Sequence, residues 1–395
     1  MEHYNRAFSK VPTLRFADFS DLWEQKQFDE VLFVLANNTL SRAELNYDNG
    51  DYKDIHYGDV LIKYPAYIDV SSSDVPYINT ENSSTKLNNA LLQNGDVVIA
   101  DTAEDFTVGK ATEIENVSAT KVVAGLHTIP CRPKIRFSPK YLGYYINSPA
   151  YHDQLIPFIQ GVKVSSISKT HIRKTYLSFS SLLEQEKIAN FLSCLDEKIK
   201  VQNKIIEDLK VLKKELNYSL IGRIINGKSS NCKIEDVIDY EQPTNYIVKS
   251  DKYIENGETP VLTANKAFLL GYTIENEGVY NKSDCIILDD FTLDFKYVNF
   301  PFKIKSSAIK ILTAKKDIEL RYFYEYLLFL GLTSHEHKRH YISEIAPLPL
   351  YLPSIDEQRN ALSVLNSISE KIKVEENYII ALKAQKCFFL RAMFI

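Results

Sequence analysis

The chain has 395 residues, 45% hydrophobic and 25% charged, which suits two or three soluble globular domains. It contains 47 Lys and Arg but 51 Asp and Glu, so it lacks the overall excess of basic residues that proteins binding nucleic acid without sequence preference have. A local basic face is still compatible with these counts. The five cysteines form no CxxC pair, the N-terminus has no apolar run of signal-peptide length, and the most apolar stretch, 322–332, is too short to span a membrane. These features predict reduced thiols and a cytoplasmic protein without a membrane span.

Two segments, 12–181 and 228–352, have the composition of globular domains. Both contain short runs of Tyr, Phe, Val, Ile and Thr that are broken by Gly, Asn and Asp, as at 95–100 and 285–290. Such runs predict short strands joined by long loops. We also expect short helices at 139–147 and 318–330.

A long helix pattern follows each segment, and the two copies match in register. Residues 184–201 read EQEKIANFLSCLDEKIKV, and residues 357–374 read EQRNALSVLNSISEKIKV. Apolar residues continue at heptad spacing beyond both, which predicts two long amphipathic helices. The heptad core positions are Ile188, Leu192, Leu195, Ile199, Gln202, Ile206, Leu209, Lys213, Leu216 and Leu220, and then Ala361, Leu365, Ile368, Ile372, Glu375, Ile379, Leu382, Lys386, Phe389 and Met393.

The polar positions of the two heptad patterns predict how the helices pair. An antiparallel pairing sets Lys213 opposite Glu375 and Gln202 opposite Lys386, and every other layer is then apolar. Polar layers cost stability but fix the register. The alternative is that each helix packs on its own globular segment, with the lysine ammonium groups extended to solvent.

The predicted fold class is therefore α+β. Two mixed α/β domains, 1–181 and 228–352, are separated by helices at 182–227 and 353–395, which form an antiparallel coiled coil with pseudo-two-fold symmetry. Internal repetition of this kind fixes the architecture before any local assignment.

One motif resembles a nucleotide-binding loop. Residues 222–229, GRIINGKS, fit the pattern GxxxxGK[ST]. That loop must follow a strand and open a helix so that backbone amides face the phosphates. Here it ends the first long helix, so we interpret Gly227 as a helix C-cap. The sequence contains no other catalytic motif and no metal-ligand spacing, which predicts a non-catalytic chain.

Each globular segment carries one basic stretch without acids. The first is 163–174 and the second is 295–316; both contain serines, and the second contains aromatic residues. Lysines mixed with hydroxyl groups suit phosphate contacts and polar recognition of base edges. A solvated surface is the alternative.

In order, several segments resemble the DNA-specificity subunit of type I restriction–modification enzymes. Sequences LQNGDVVIA at 92–100, VGK at 108–110 and AGLHT at 124–128 are similar to one class of its target recognition domains. Sequences PVLTANK at 260–266, LGYT at 270–273, DDFT at 289–292 and KSSAIK at 305–310 are similar to another class. The two Glu-Gln helices resemble the conserved central and C-terminal regions of that family.

The resemblance implies that the chain does no chemistry and binds no cofactor. Each recognition domain binds one half of a bipartite sequence in double-stranded DNA. Two methyltransferase subunits supply S-adenosylmethionine and adenine-N6 methylation, and two restriction subunits supply ATP- and Mg-dependent cleavage. The DNA contacts are expected in loops 101–110, 163–168, 266–272, 289–291 and 303–310. The candidate residues are Thr102, Asp105, Lys110, Lys163, Ser165, Ser166, Lys169, Lys266, Tyr272, Asp289, Asp290, Phe291, Lys303, Lys305, Ser306, Lys310 and Arg339.

Three alternatives remain from the sequence. The 222–229 loop could bind ATP in an enzyme. The globular segments could bind proteins, with the helices as a scaffold. The chain could also serve as the specificity subunit of another type of restriction–modification enzyme.

If the helices set the distance between half-sites, their length is a measurable parameter. About 26 helical residues at ~1.5 Å each cover roughly 40 Å, close to one turn of duplex between half-sites. Deleting one heptad from both helices should shorten the spacer of the methylated motif or abolish methylation. An unchanged spacer in methylation sequencing would disprove the idea.

Overall fold

The computed structural model describes residues 11–71, 74–79, 87, 91–117, 120–161, 163–265, 267–334, 336 and 338–395. The chain divides into two compact units. Unit 1 comprises residues 1–202 and 378–395, and unit 2 comprises residues 203–377. Each unit therefore contains a globular segment and a part of each long helix.

Unit 1 begins with a globular segment of short strands and short helices, as predicted. Its elements, in chain order, are β1 (Glu24–Gln27), α1 (Phe28–Val31), β2 (Leu32–Val34), β3 (Leu45–Asn46), β4 (Tyr52–Ile55), α2 (Tyr57–Ile62), β5 (Tyr67–Asp69), β6 (Tyr77–Ile78), β7 (Val97–Ala100), β8 (Thr102–Ala103), β9 (Ala111–Glu115), β10 (Lys121–Ala124), β11 (Thr128–Pro133), α3 (Tyr141–Ile146), α4 (Pro149–His152), β12 (Ser165–Ser166), α5 (Lys169–Ile172) and β13 (Tyr176–Phe179).

These strands form two larger sheets and two strand pairs. The five-stranded sheet has the order β2-β11-β7-β9-β5, and the four-stranded sheet has the order β10-β4-β6-β3. Strands β1 and β13 pair with each other, as do β8 and β12. Most neighbours are antiparallel, whereas β5 with β9 and β10 with β4 are parallel.

The second globular segment lies in unit 2, between the two long helices α6 (Leu182–Ile225) and α9 (Ile355–Ala392). Its elements are β14 (Cys232–Lys233), α7 (Ile234–Val237), β15 (Ile238–Glu241), β16 (Thr259–Leu262), β17 (Leu269–Thr273), β18 (Cys285–Asp289), β19 (Phe295–Val298), β20 (Lys303–Ile304), β21 (Ile309–Ala314), α8 (Leu320–Leu330) and β22 (Pro349–Leu350). The strands form sheets with the orders β15-β21-β18-β19 and β17-β16-β20, and β14 pairs with β22.

The predicted α+β class and helix positions are confirmed. Helices α3 and α8 occupy the segments predicted at 139–147 and 318–330. Helix α6 ends at Ile225, and Gly227 has a φ of +70°, the left-handed conformation of a helix C-cap glycine. The GRIINGKS segment thus begins inside a helix, so it lacks the strand–loop–helix context of a phosphate loop. Among the described residues, no helix has the length and apolar character needed to cross a membrane.

Within each unit the long helices run antiparallel. In unit 1 the Phe191 ring of α6 packs edge-on against Phe389 of α9 with centroids 4.8 Å apart, and Asp196, later in α6, pairs with Lys386, earlier in α9. In unit 2 the later part of α6 contacts the earlier part of α9, where Lys210 pairs with Glu376 at 2.7 Å. The helices also pack on the globular segments, so the two packing alternatives from the sequence coexist.

The acids that pair with the two heptad lysines differ from the prediction. In unit 2, Lys213 Nζ lies 2.9 Å from Glu325 Oε1, on α8. In unit 1, Lys386 pairs with Asp196 of α6, which also accepts a hydrogen bond of 2.7 Å from the Tyr144 hydroxyl. Acids from a neighbouring helix face or from the globular segment reach these lysines, and the predicted layers of Lys213 with Glu375 and of Gln202 with Lys386 stay predictions.

A glutamine at the start of each long helix fixes that helix to its globular segment. Gln185 Oε1 accepts from the Ser138 amide (3.0 Å), and its Nε2 donates to the Ser180 carbonyl (2.7 Å). Gln358 repeats this arrangement with the Glu319 amide (2.8 Å) and the Pro353 carbonyl (3.0 Å). Both glutamines are buried, so these bonds satisfy polar groups that water does not reach.

Replacing either partner of the Lys213–Glu325 pair should lower the free energy of unfolding, but by different amounts. The Glu325 side chain is 1% exposed and that of Lys213 is 20% exposed. Lys213→Met leaves a buried carboxylate with only Arg321 at 3.8 Å and should cost roughly 3 kcal/mol. Glu325→Gln leaves an ammonium that can turn to solvent and should cost about 1 kcal/mol. Urea denaturation of the two variants measures this difference, and equal costs would contradict it. Lys213→Met combined with Glu325→Leu should recover most of the loss.

Candidate nucleic-acid interface

In unit 1, strand pairing brings three predicted contact residues together. Strand β12 pairs antiparallel with β8, which sets Ser166 opposite Thr102 and Ser165 opposite Ala103. Ser166 is exposed, and Ser165 and Thr102 are partly exposed. Lys163, in the same loop, is exposed as well. The Thr102 and Ser166 side chains are therefore cross-strand neighbours on one accessible face, whereas Ser165 alternates to the other face of the strand pair.

The predicted Lys169 and two residues that the sequence did not single out, Asn37 and His127, lie next to this strand pair. The exposed Lys169 donates from Nζ to Asn37 Oδ1 at 3.0 Å, and Asn37 Nδ2 donates to the Gly125 carbonyl at 3.3 Å. His127 follows in the same turn and has a φ of +55°. We call Asn37, Thr102, His127, Ser166 and Lys169 the Thr102 cluster. Only the AGLHT segment hinted at His127, and it gave no reason to select the histidine.

The His127 ring is held by three neighbours. Its Nδ1 lies 3.3 Å from Thr102 Oγ1 and 3.3 Å from Asp101 Oδ1. The Tyr57 ring packs edge-on against it with centroids 5.2 Å apart. The imidazole is nevertheless about half exposed, so it has a defined orientation and an accessible edge.

A buried carboxyl group supports the turn that carries His127. Asp54 is fully buried, and its Oδ2 accepts from Asn38 Nδ2 at 2.6 Å. A Cβ at Gly125 would lie 2.2 Å from Asp54 Oδ1, so only glycine fits there. Burial raises the pKa of Asp54 to about 7, despite the opposing hydrogen bond from Asn38.

Two other predicted residues of this segment have local roles. Asp105 Oδ1 accepts from the Thr107 amide and hydroxyl, and these bonds hold the pKa of Asp105 below its usual value. Lys110 donates from Nζ to the Leu61 carbonyl at 2.8 Å, and burial lowers its pKa. Its side chain lines a pocket with Tyr144 and Lys386, away from the Thr102 cluster's hydrogen bonds.

In unit 2, three predicted residues gather at one end of the β15-β21-β18-β19 sheet. The Arg339 guanidinium lies over the Phe291 ring, 5.9 Å from its centroid. Asp289 Oδ1 accepts from the Phe291 amide and shapes that turn. Ser306 lies in the adjoining loop, whose Ala308 carbonyl accepts from the Asp290 amide. We call Phe291, Ser306 and Arg339 the Arg339 cluster.

Asp290 and Lys310, which the sequence predicts as DNA contacts, have side chains that are only 1% exposed. They form an ion pair at 3.3 Å, and Asp290 Oδ1 also accepts from the amides of His340 (3.1 Å) and Tyr341 (2.7 Å). The pair ties together the three segments that carry the Arg339 cluster. Its role is to position that cluster.

Lys303, another predicted DNA contact, is also buried. Its side chain is 2% exposed, and Nζ lies 2.9 Å from Glu275 Oε2 and donates to the Glu277 carbonyl at 2.6 Å. Lys305 is partly exposed and pairs with Asp251. Tyr272 is half-buried on β17, in the three-stranded sheet. The predicted contact Lys266 lies outside the described residues.

Comparison with protein families identifies part of the chain. Residues 20–211 match the model of the type I restriction modification DNA specificity domain. This segment is therefore similar to such a specificity domain. The resemblance expected from the sequence is confirmed here, and the matched range includes the whole Thr102 cluster.

Individual relatives support the same assignment. The chain is 40% identical over 139 residues to the specificity subunit of the type I restriction enzyme EcoR124I/EcoR124II from Escherichia coli, a match that spans about a third of each protein (34%). Its fold is similar to that of a type I restriction-modification S subunit from M. genitalium, with a TM-score of 0.55, 15% identity, and coverage of 98% of this chain and 99% of that one. A chain from a type I R-M system, studied for its complex assembly and conformational transition, gives a TM-score of 0.56, 14% identity, and coverage of 93% and 96%.

Asp54 makes the stability of unit 1 depend on pH. The pKa of Asp54 is raised to about 7 in the fold from an ordinary value of 3.8. The folded state therefore holds its proton longer, and this contribution to stability is present below pH ~4 and is lost as pH rises towards ~7, at about 1.4 kcal/mol per pH unit. Thermal unfolding should show Asp54→Asn gaining stability over wild type as pH rises. If the Tm values of wild type and Asp54→Asn changed in parallel with pH, the raised pKa of Asp54 would be contradicted.

Proposed function

We propose that the chain is the DNA-specificity subunit of a type I restriction–modification complex. The domains at 1–181 and 228–352 each bind one half of a bipartite target in double-stranded DNA. The helices at 182–227 and 353–395 hold the partner subunits. The chain itself is non-catalytic and acts in the cytoplasm.

The observation that carries this proposal is the Thr102 cluster within the matched specificity domain. It presents hydroxyl, amide and imidazole groups beside Lys169 on one accessible surface. Lysines contact phosphates and set the position on the duplex, whereas short polar side chains distinguish base edges in a groove. The acidic chain as a whole disfavours indiscriminate binding, so the local surface provides the contact.

The Arg339 cluster differs in chemistry from the Thr102 cluster. Its guanidinium is held over an aromatic ring, and arginine is suited to the acceptors of guanine. The cluster is built from other strands and loops than the Thr102 cluster. Two such different surfaces suit two different half-site sequences.

The partners follow from the same proposal. Two methyltransferase subunits bind the chain and supply S-adenosylmethionine for methylation of adenine N6. Two restriction subunits add ATP- and Mg-dependent cleavage. The chain needs no cofactor of its own for this role.

Methylation sequencing of cells with and without this chain tests the function. The chain with its methyltransferase should produce one bipartite methylated motif. Ser166→Ala and Lys169→Ala should weaken methylation or relax only one half, and Arg339→Ala should relax only the other half. Asp51→Ala, at an exposed position of the first globular segment that is neither a candidate contact nor part of a long helix, serves as the control and should leave the motif unchanged.

The outcome also separates the alternatives. A chain that supports no methylated motif, or binds DNA without sequence preference, would contradict the proposal and favour a protein-binding scaffold. Effects of Lys169→Ala and Arg339→Ala on the same half of the motif would contradict the division between the two domains.

A further inference from the structure

Two residues of the Thr102 cluster, Thr102 and His127, form a hydrogen-bonded series with the neighbouring Asp101. Thr102 Oγ1 lies 2.7 Å from Asp101 Oδ1 and 3.3 Å from His127 Nδ1. Backbone bonds fix the same residues, since the Asp101 amide donates to the His127 carbonyl at 3.0 Å and the Ile167 amide donates to the Asp101 carbonyl at 2.8 Å. The arrangement is therefore held from both sides.

The hydrogen-bond donors and acceptors among these groups determine which ring nitrogen of the imidazole carries the proton. A threonine hydroxyl has one proton, and a carboxylate can only accept. The shorter bond to Asp101 uses the hydroxyl proton, so Thr102 Oγ1 accepts at its other contact. His127 Nδ1 must then carry a proton, and the Asp101 carboxylate at 3.3 Å favours the same form.

A neutral imidazole that is protonated at Nδ1 has an acceptor at Nε2. No contact of this atom occurs within the described part of the chain, and the ring is about half exposed. In the major groove, adenine N6 and cytosine N4 are the exocyclic donors, whereas guanine O6 and thymine O4 accept. A fixed acceptor therefore distinguishes an amino group from a carbonyl group.

We propose that His127 is a specificity-determining residue that accepts a hydrogen bond at Nε2 from the exocyclic amino group of one base, and that Thr102 and Asp101 are positioning residues that fix its tautomer. This inference rests on the proposed function, because it requires unit 1 to contact DNA. Thr102 thus acts through the histidine, in place of the direct contact expected from the sequence.

The substitutions at Thr102 provide a matched pair. Thr102→Val keeps the shape but removes one of the two acceptors that lie 3.3 Å from Nδ1, which leaves only the Asp101 carboxylate to hold the imidazole in its Nδ1–H form. Thr102→Ser keeps the hydroxyl and should keep the specificity. Dissociation constants are measured for the chain in complex with its methyltransferase, against targets carrying each base pair at each motif position. Thr102→Val and His127→Ala should each lower discrimination by roughly tenfold or more at one common position.

Two further measurements exclude a merely structural role. The double variant should lose no more discrimination than His127→Ala, because both changes act through one contact. Replacing the adenine or cytosine at that position by an analogue without its amino group should weaken binding of wild type and of Thr102→Ser, but not of His127→Ala. Affinity for unrelated DNA and the Tm should stay near the wild-type values.

Failure of the proposed function and failure of this inference give different results. A wild-type complex that binds DNA without sequence preference would overturn the proposed function. Wild-type specificity that His127→Ala leaves intact at every position would overturn this inference alone. Loss of specificity in Thr102→Ser equal to that in Thr102→Val would overturn the tautomer argument, as would a contacted base edge that only accepts hydrogen bonds.

Discussion

A buried glutamine at the first turn of each long helix is the constraint on which both units depend. Gln185 and Gln358 each accept from a backbone amide of the globular segment and donate to a carbonyl that precedes the helix. Moving a helix relative to its segment would leave these amides unpaired in a dry interior, and each unpaired group costs about 1–3 kcal/mol. The globular segment that carries the candidate contacts therefore has a fixed position relative to the start of its helix.

The preceding glutamates show how far the copies have diverged around that constraint. Glu184 is buried and forms a two-bond ion pair with Arg15, at 2.6 and 2.7 Å. Glu357 instead caps its own helix by accepting from the Ser354 amide at 2.9 Å and from its hydroxyl at 2.8 Å. The same dipeptide thus serves tertiary packing in one copy and local helix initiation in the other.

Periodic features of the fold could be predicted from the sequence, and non-local ones could not. The heptads located α6 and α9 because helix-face spacing is a local property. Lys303 and Lys310 looked like surface charges because their partners, Glu275 and Asp290, are remote in sequence. His127 was missed because its role depends on a left-handed turn and on the pairing of Thr102 with Ser166, which a single sequence does not reveal.

The two heptad lysines carry a consequence for exchanging recognition domains between the halves. Equivalent glutamine bonds align Ser138 with Glu319, and hence Tyr144 with Glu325, while the helix repeat aligns Asp196 with Ser369. A first domain grafted into the second position would offer Lys213 a tyrosine and a serine but no carboxylate. The reverse graft would crowd two carboxylates around Lys386. Each lysine therefore depends on a carboxylate in a different part of its own half, Glu325 in the globular segment or Asp196 in the helix. A chimera that exchanges a domain must also move the carboxylate that pairs with the lysine.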